Sequence, residues 1–219
     1  MVLERKCQEA LQYCRAFCIY IRNGKRVSKM RTVLDCMNAF KALLTTEYVI
    51  ILGRKGVSVT LRLRFDKKDC FHLMGLQYLA DRPELNRDRG KIFDEISNGI
   101  INIEKIESSD FYSKIQSRIH FLPLLEKILD SNDTVFKYNK KANIFSLIDA
   151  DYLIKSKIEN RNLFLFLSHR TKDIYFCRSF FPEEKTDYTK NQASWTLLYK
   201  KKINLMDGTE TILYNKKET

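Results

Sequence analysis

Residues 57–76 read VSVTLRLRFDKKDCFHLMGL and contain the transition that decides the fold. The odd-numbered positions from 57 to 65 are apolar and alternate with polar residues, which is typical of a strand with one buried face. Asp66 then predicts a helix N-cap, and Asp69 falls at the third helical position, where an acid is favoured. The stretch therefore predicts a strand that leads directly into a helix near residues 67–80.

The segment before this strand predicts a partner for it. Tyr48–Leu52 is a continuous apolar run, and Gly53-Arg54-Lys55-Gly56 between the two runs predicts a tight hairpin. Arg62 and Arg64 lie on the face of the second strand opposite to the apolar positions. That face is therefore either solvated or carries a ligand.

Two helices are predicted upstream of the hairpin. Apolar residues recur at three- and four-residue steps from Leu3 to Ile21, and again from about Ser28 to Thr45, which indicates amphipathic helices. The basic residues within 22–31 could contact phosphate or form a solvated connector. We expect residues 1–45 to form a helical arm and residues 46–219 an α+β domain, unless the two form one continuous domain.

The pattern changes from helical to extended near Thr134. Before it, a short helix is predicted from about Lys91 to Asn98, and a longer helix from Ser108 or Ser109 is kinked or split by Pro123. After it, strands are predicted at Val135–Tyr138, Ile144–Ile148, Tyr152–Lys157, Leu163–Ser168, Ile174–Phe181, Trp195–Ile203 and Thr211–Tyr214. This order predicts an α+β fold, with N-terminal helices followed by a mostly antiparallel sheet.

The composition indicates a polyanionic partner. The chain has 219 residues, of which 44% are apolar, and its 39 basic and 27 acidic residues give a net charge of +12. Nucleic acid is the commonest partner of so basic a protein, although an acidic membrane surface or an acidic protein would be attracted as well.

The cysteines and the apolar runs predict a cytoplasmic protein that does not contact a membrane. The start of the chain lacks the apolar region of a secretory signal, and no run reaches the roughly 18 apolar residues of a membrane span. The six cysteines are therefore expected to be reduced. Cys14 and Cys18 share a predicted helix face, where a role as small apolar core residues explains them better than a metal site.

The three histidines differ in how strongly they indicate function. His72 is the first candidate, because Gly75 follows it in the predicted helix and a missing side chain there would let a backbone or a substrate approach the imidazole. The alternative is that His72 has only a structural role and packs beside a small residue. His120 lies on a polar helix face and His169 in a predicted turn, where solvent exposure is the simpler explanation.

Arg118 and Ser179 are further candidates because each is a polar group among apolar neighbours. The guanidinium of Arg118, at the edge of an apolar helical stripe, needs either a structural carboxylate or a substrate phosphate as its partner. The hydroxyl of Ser179 could bond to the backbone or bind phosphate. Strict alternation places Arg178 on the opposite face of the predicted strand from Ser179.

Several catalytic signatures are absent from the sequence. It contains no glycine-rich phosphate loop, no G-x-S-x-G elbow, no H-E-x-x-H helix and no paired C-x-x-C. No acidic cluster indicates a two-metal nuclease centre. If the protein cuts a phosphodiester, we expect it to do so without a metal or another cofactor.

Short motifs in a fixed order resemble those of one nuclease family. They are Phe71-His72-Leu73-Met74-Gly75-Leu76 after a strand that ends in Phe65, Ser109-Asp110-Phe111 with Ile115 and Arg118-Ile119, Ala150-Asp151-Tyr152-Leu153, and Arg178-Ser179-Phe180-Phe181 followed by Tyr188 and Gln192. Over about residues 45–205, the chain resembles the fourth phage-type branch of the nucleases that share the barnase, EndoU, colicin and RelE fold.

The resemblance implies an α+β core whose antiparallel sheet carries an RNA-cleaving site. Members of this larger group are mostly toxins that cut RNA, often tRNA or ribosome-bound mRNA, and they generally use no metal. This chain is accordingly expected to be a toxin of phage or mobile-element type. The ribose 2′-hydroxyl attacks the adjacent phosphate and leaves a cyclic phosphate end. A protein inhibitor is a further partner that the resemblance implies.

A catalytic hypothesis follows from the resemblance. His72 would act as general base or acid, Arg118 would hold the phosphate, and Ser179 would bind the phosphate or orient the 2′-hydroxyl. The substrate-binding residues would include Tyr188, Gln192, Arg62, Arg64 and Lys200. The hypothesis requires that His72 and Arg118 face one cleft.

Two other functions fit the same sequence. A nucleic-acid-binding protein without catalysis would keep the basic surface, and a protein-interaction module, such as an inhibitor or immunity factor, would use it to bind an acidic protein.

Overall fold

The computed structural model describes residues 31–143, 146–171 and 173–218. Its α-helices are α1 (Val33–Leu43), α2 (Lys67–Met74), α3 (Arg89–Ser97), α4 (Ile103–Glu107), α5 (Gln116–Phe121) and α6 (Leu125–Asp130). Short 3₁₀ helices lie at Leu76–Tyr78, Pro83–Leu85, Tyr112–Lys114, Leu122–Leu124 and Lys140–Ala142. The predicted helix from Leu3 to Ile21, the basic residues before Arg31 and the cysteine pair Cys14 and Cys18 lie outside the described residues.

The strands form one eight-stranded sheet that closes on itself. They are β1 (Thr46–Arg54), β2 (Val57–Leu63), β3 (Thr134–Lys137), β4 (Tyr152–Ile158), β5 (Arg161–Thr171), β6 (Ile174–Pro182), β7 (Ala193–Asn204) and β8 (Glu210–Asn215). Their order is β1-β2-β6-β5-β4-β3-β7-β8, and an additional pairing between β1 and β7 closes a barrel. The predicted α+β class and the mostly antiparallel sheet are confirmed.

The predicted order of helices before strands is confirmed only in part. Helix α1 precedes the sheet, but the β1–β2 hairpin comes before α2 to α6. Residues from Arg31 onwards form one compact unit, and α1 buries Val33, Met37 and Phe40 in its core. The predicted division into a helical arm at residues 1–45 and an α+β domain at residues 46–219, or one continuous domain, stays a prediction.

The hairpin is confirmed and turns more tightly than predicted. Arg54 pairs with Val57, so Lys55 and Gly56 alone form the turn. Their φ values of 49° and 78° are those of the two-residue turn that matches the twist of a hairpin.

Helix α2 begins where predicted and ends earlier. Asp66 and Asp69 form the expected capping box. The predicted helix near 67–80 stops at Met74, because Gly75 adopts a left-handed conformation with φ 81° as its C-cap. Gly75 therefore ends the helix rather than lying inside it.

The other differences from the predicted elements have local causes. Pro123 splits the helical segment after Ser109, since a 3₁₀ turn at Leu122–Leu124 separates α5 from α6. Residues 146–148 of the predicted strand Ile144–Ile148 are not extended in a strand. Instead the hydroxyl of Ser146 accepts a bond from the backbone N–H of Ile148 at 3.1 Å, and such local bonds compete with strand pairing.

Strand β5 is buried on both faces over residues 163–167. Leu163, Leu165 and Leu167 belong to the main core, which the helices cover. Phe164 and Phe166 belong to a second apolar cluster that includes side chains from the segments before β4 and after β6. The sheet therefore carries packed structure on both sides of β5.

Strand β6 has an edge that no strand covers along most of its length, within the described residues. Its parallel pairing with β2 is limited to Arg62 with Ile174 and Leu63 with Tyr175. Beyond that point, α2 and α5 pack beside β6 instead of a strand.

No helix in the described part of the chain combines the length and the apolar character needed to cross a membrane.

Gly75 provides a test of this close packing. A Cβ added there would lie 2.9 Å from Cδ of Arg118 and 3.1 Å from Cγ2 of Ile115, whereas one added at Gly56 (φ 78°) would meet nothing within 4 Å. The backbone strain of alanine at positive φ costs about 1–2 kcal/mol at either position. We expect Gly75→Ala to lower the free energy of unfolding in a denaturant titration by clearly more than Gly56→Ala. Equal losses would contradict a steric role for the space at Gly75.

Candidate functional site

A cleft of about 420 Å³ lies where α5 meets the uncovered edge of β6. We call it the arginine cleft. Its lining consists of Tyr78, Lys114, Ser117, Arg118, Ile148, Ser179, Phe181, Glu184 and Tyr188. The fold therefore brings three of the predicted site residues, Arg118, Ser179 and Tyr188, to one cleft.

Arg118 is held in this cleft by the backbone and by two aromatic rings. Its Nη1 donates a hydrogen bond to the carbonyl oxygen of Phe180 at 2.6 Å. Its guanidinium carbon lies 5.6 Å from the ring centre of Tyr78 and 5.2 Å from that of Phe181, which is the range of cation–π contacts. Because Gly75 has no side chain, the stem of Arg118 can pass directly over the end of α2.

The charge of Arg118 is not neutralised within the described residues. The guanidinium forms no ion pair with a carboxylate there, although it is partly buried. Burial lowers the pKa of Arg118, while the nearby Tyr78 and Glu184 act in the opposite direction. A partly desolvated cation that forms no ion pair favours the binding of an anion, although the nearby Glu184 offsets part of its charge.

The other lining groups suit an anionic, partly aromatic ligand. Lys114 adds a second cation, with Nζ 4.3 Å from the ring centre of Phe111. Ser117 and Ser179 present hydroxyls. Burial raises the pKa of Tyr188, so its phenol stays protonated and can donate a hydrogen bond. Glu184 is the one acidic residue among the groups that line the cleft.

His72 is not among the described residues that line the arginine cleft. Its Nε2 instead contacts Nη1 of Arg89, which also lies over the ring of Phe71 at 5.5 Å. Burial, together with the charges of Arg89 and Arg178, lowers the pKa of His72. The structure thus places His72 beside two arginines and one helical turn from Gly75, but does not bring it to Arg118 in one cleft.

A second cleft of about 300 Å³ carries a different histidine. We call it the histidine cleft. It is lined by Asp149, Ala150, Asp151, Ser168, His169, Phe176 and Arg178. His169 lies within β5 rather than in the predicted turn. Its Nδ1 is 2.7 Å from Oδ2 of Asp151, and its backbone N–H donates to the same oxygen at 2.9 Å.

A β-bulge directs Arg178 into the histidine cleft. Phe166 pairs with Ser179 and Leu167 with Cys177, so Arg178 is the extra residue of β6. The prediction from strict alternation, that Arg178 and Ser179 lie on opposite faces, is wrong for this reason. Phe176 and Arg178 line one cleft and Ser179 the next.

The two clefts are neighbours along the chain. Arg178 and Ser179 are consecutive residues of β6, and Ile148 and Asp149 are consecutive in the segment before β4. Since consecutive Cα atoms are about 3.8 Å apart, the linings of the two clefts adjoin at these two places in the chain.

The predicted RNA contacts Arg62 and Arg64 flank the buried Glu47 on the outside of the β1–β2 hairpin. Both arginines form ion pairs with its carboxylate, while their side chains remain 43% and 44% exposed. Their face of the sheet therefore carries an internal ion-pair network, which neutralises part of their charge.

Lys200 and Gln192 have structural partners. Lys200 is 4% exposed, donates to the carbonyl oxygen of Ser131, and has its pKa lowered to about 8 by burial. It is too buried for the predicted contact with RNA. The side-chain amide of Gln192 bonds to the N–H and the carbonyl of Asn139 at 2.7 and 3.1 Å, and it does not line either cleft.

The described residues contain no group of three or more His, Cys, Asp or Glu side chains that could hold a metal ion. Cys36, Cys70 and Cys177 are free and buried.

Sequence reasoning missed Tyr78, Lys114 and Glu184, because these residues come from separate loops and short helices. The pair of Asp151 and His169 carried a signal that was not used. Asp151 belongs to a motif that resembles the family's, and His169 is 18 residues away along the chain. Only the antiparallel pairing of β4 with β5 brings the two together.

One comparison with known proteins gave a match. The family described as phage-Barnase-EndoU-ColicinE5/D-RelE like nuclease4 matches residues 32–217. No curated protein and no solved structure matches the chain at a significant level. Because the family match covers most of the chain, we conclude that the protein belongs to this family of phage-type nucleases.

Proposed function

We propose that the protein is an endoribonuclease and that the arginine cleft binds the phosphate at which RNA is cut. Membership of a nuclease family supports a nucleic-acid substrate. The observation that carries the proposal is the guanidinium of Arg118, which is partly buried and has no carboxylate partner in the described part of the chain. A phosphate is the ligand that such a group binds best.

The cleft suits a substrate in which both phosphates and bases are accessible. Arg118 and Lys114 would hold phosphate oxygens, and the rings of Tyr78 and Tyr188 can stack on unpaired bases. Single-stranded segments of RNA, including tRNA loops, fit this description better than a closed duplex.

In the proposed reaction the 2′-oxygen forms a bond to phosphorus while the bond from phosphorus to the 5′-oxygen breaks. The products are a 2′,3′-cyclic phosphate and a free 5′-hydroxyl, and no metal takes part. Arg118 would stabilise the negative charge that grows on the phosphoryl oxygens. Ser179 would donate a hydrogen bond to one of these oxygens, and Tyr188 would orient the nucleotide.

Proton transfer by His72 stays a prediction. Since its Nε2 contacts Arg89, the nitrogen available for this role would be Nδ1. A toxin action restrained by an acidic protein inhibitor also belongs to this proposal, because the arginine cleft would attract acidic side chains as it attracts phosphate.

The reaction can be tested by incubating total cellular RNA with the purified protein and an excess of chelator. We expect cuts that leave cyclic phosphate and 5′-hydroxyl ends, at a rate that the chelator does not change. Intact RNA would favour the non-catalytic binding function instead. Cleavage that the chelator abolishes would contradict the metal-free mechanism.

Arg118→Ala is expected to lower the single-turnover cleavage rate by about 10²–10³-fold, the usual effect of removing one donor to a developing oxyanion. Arg118→Lys should recover little of this loss, because an ammonium cannot reproduce the planar fork that spans phosphate and the Phe180 carbonyl.

Arg54→Ala is the matched control, since Arg54 is an exposed arginine at the end of β1 and outside both clefts. It should cleave RNA at the wild-type rate. The unfolding midpoint of each variant shows whether a lower cleavage rate results from a loss of stability. A folded Arg118→Ala variant with the wild-type rate would contradict the assignment of the phosphate site.

A further inference from the structure

The three histidines of the chain all lie in the described residues, and they differ in the state of their ring nitrogens. Nε2 of His120 is 3.0 Å from Oε2 of Glu159, and Nε2 of His72 contacts Arg89. His169 is the one whose Nδ1 faces a carboxylate while its Nε2 has no partner among the described side chains.

Asp151 fixes the tautomer of His169. Burial acts to raise the pKa of Asp151, but hydrogen bonds from His169 and the charge of Lys137 hold it below its usual value, so the carboxylate is ionised and can only accept. Nδ1 of His169 therefore carries the proton, and Nε2 presents its lone pair. Asp151 is itself anchored by its backbone N–H, which donates to the carbonyl of Leu167 at 2.8 Å.

The lone pair of Nε2 is accessible. The side chain of His169 is 64% exposed, whereas that of Asp151 is 26% exposed. The imidazole thus reaches into the histidine cleft while its partner Asp151 is partly buried. A group that transfers a proton must be accessible in this way in order to contact a substrate hydroxyl.

Arg178 links this histidine to the phosphate site. The β-bulge places its guanidinium in the cleft of His169. The next residue, Ser179, lines the arginine cleft. The catalytic arrangement proposed here requires that a ribose over His169 has its 3′-phosphate between Arg178 and Arg118.

We propose that His169 is the general base for the ribose 2′-hydroxyl, with Asp151 as its positioning residue and Arg178 as a second phosphate ligand. This inference rests on the proposed endoribonuclease function. The 2′-hydroxyl proton passes to Nε2 as the 2′-oxygen bonds to phosphorus. The bond to the 5′-oxygen breaks, and a water molecule protonates that oxygen. The imidazolium then releases its proton to solvent.

The roles of the three imidazoles can be compared by measuring the single-turnover cleavage rates of His169→Ala, His72→Ala and His120→Ala. We expect His169→Ala to lose about 10²–10⁴-fold in rate, the typical contribution of general acid–base catalysis, and His120→Ala to keep the wild-type rate. Asp151→Asn should lose a smaller factor. The dissociation constant for an RNA with 2′-deoxyribose at the cut site should stay unchanged in His169→Ala, because the lost group acts on the missing hydroxyl.

Added imidazole provides a readout that a structural role would not affect. We expect it to restore part of the activity of His169→Gly, but none of that of Arg118→Ala. A His169→Ala variant that cleaves at the wild-type rate, or a loss found only in His72→Ala, would overturn this inference and leave the proposed function intact. Wild-type protein that cuts no RNA would overturn the proposed function itself.

Discussion

The edge of β6 left uncovered by strands is the constraint on which both clefts depend. β2 pairs with β6 at only two positions before the chain turns into α2. A strand continuing along this edge would use the backbone groups of β6 and fill the adjacent space. The helices α2 and α5 pack there instead, and the carbonyl of Phe180 is satisfied by the guanidinium of Arg118. Since a buried carbonyl without a donor costs about 1–3 kcal/mol, this bond serves the fold and also fixes the arginine at the cleft.

Two local departures from regular backbone geometry shape the site. The left-handed Gly75 ends α2 and leaves room for Arg118. The bulge at Arg178 shifts the alternation of β6, so that consecutive residues serve neighbouring clefts. Each departure interrupts a regular element and thereby sets the position of an arginine side chain. Such irregularities are frequent next to functional sites.

The ion pairs distinguish arginines that are paired with a carboxylate from arginines that remain available to a ligand. Several arginines are paired with carboxylates: Glu47 binds Arg62 and Arg64, and Asp69 binds Arg170 at 2.6 Å. Within the described residues, neither Arg118 nor Arg178 forms such a pair. Both cleft arginines are therefore able to interact with an anionic ligand such as a nucleic-acid phosphate.

The sequence by itself determined the class of fold, the β1–β2 hairpin, the start of α2 and most strands after Thr134, because periodicity, capping and turn chemistry act over a few neighbouring residues. It also determined the family, through short motifs in a fixed order. The tertiary structure decided which polar groups meet. It brought Arg118, Ser179 and Tyr188 together, placed His72 with Arg89, and paired His169 with Asp151. Those contacts depend on strand register, one bulge and one left-handed glycine, each of which changes the direction of side chains far apart in sequence without leaving a periodic signal.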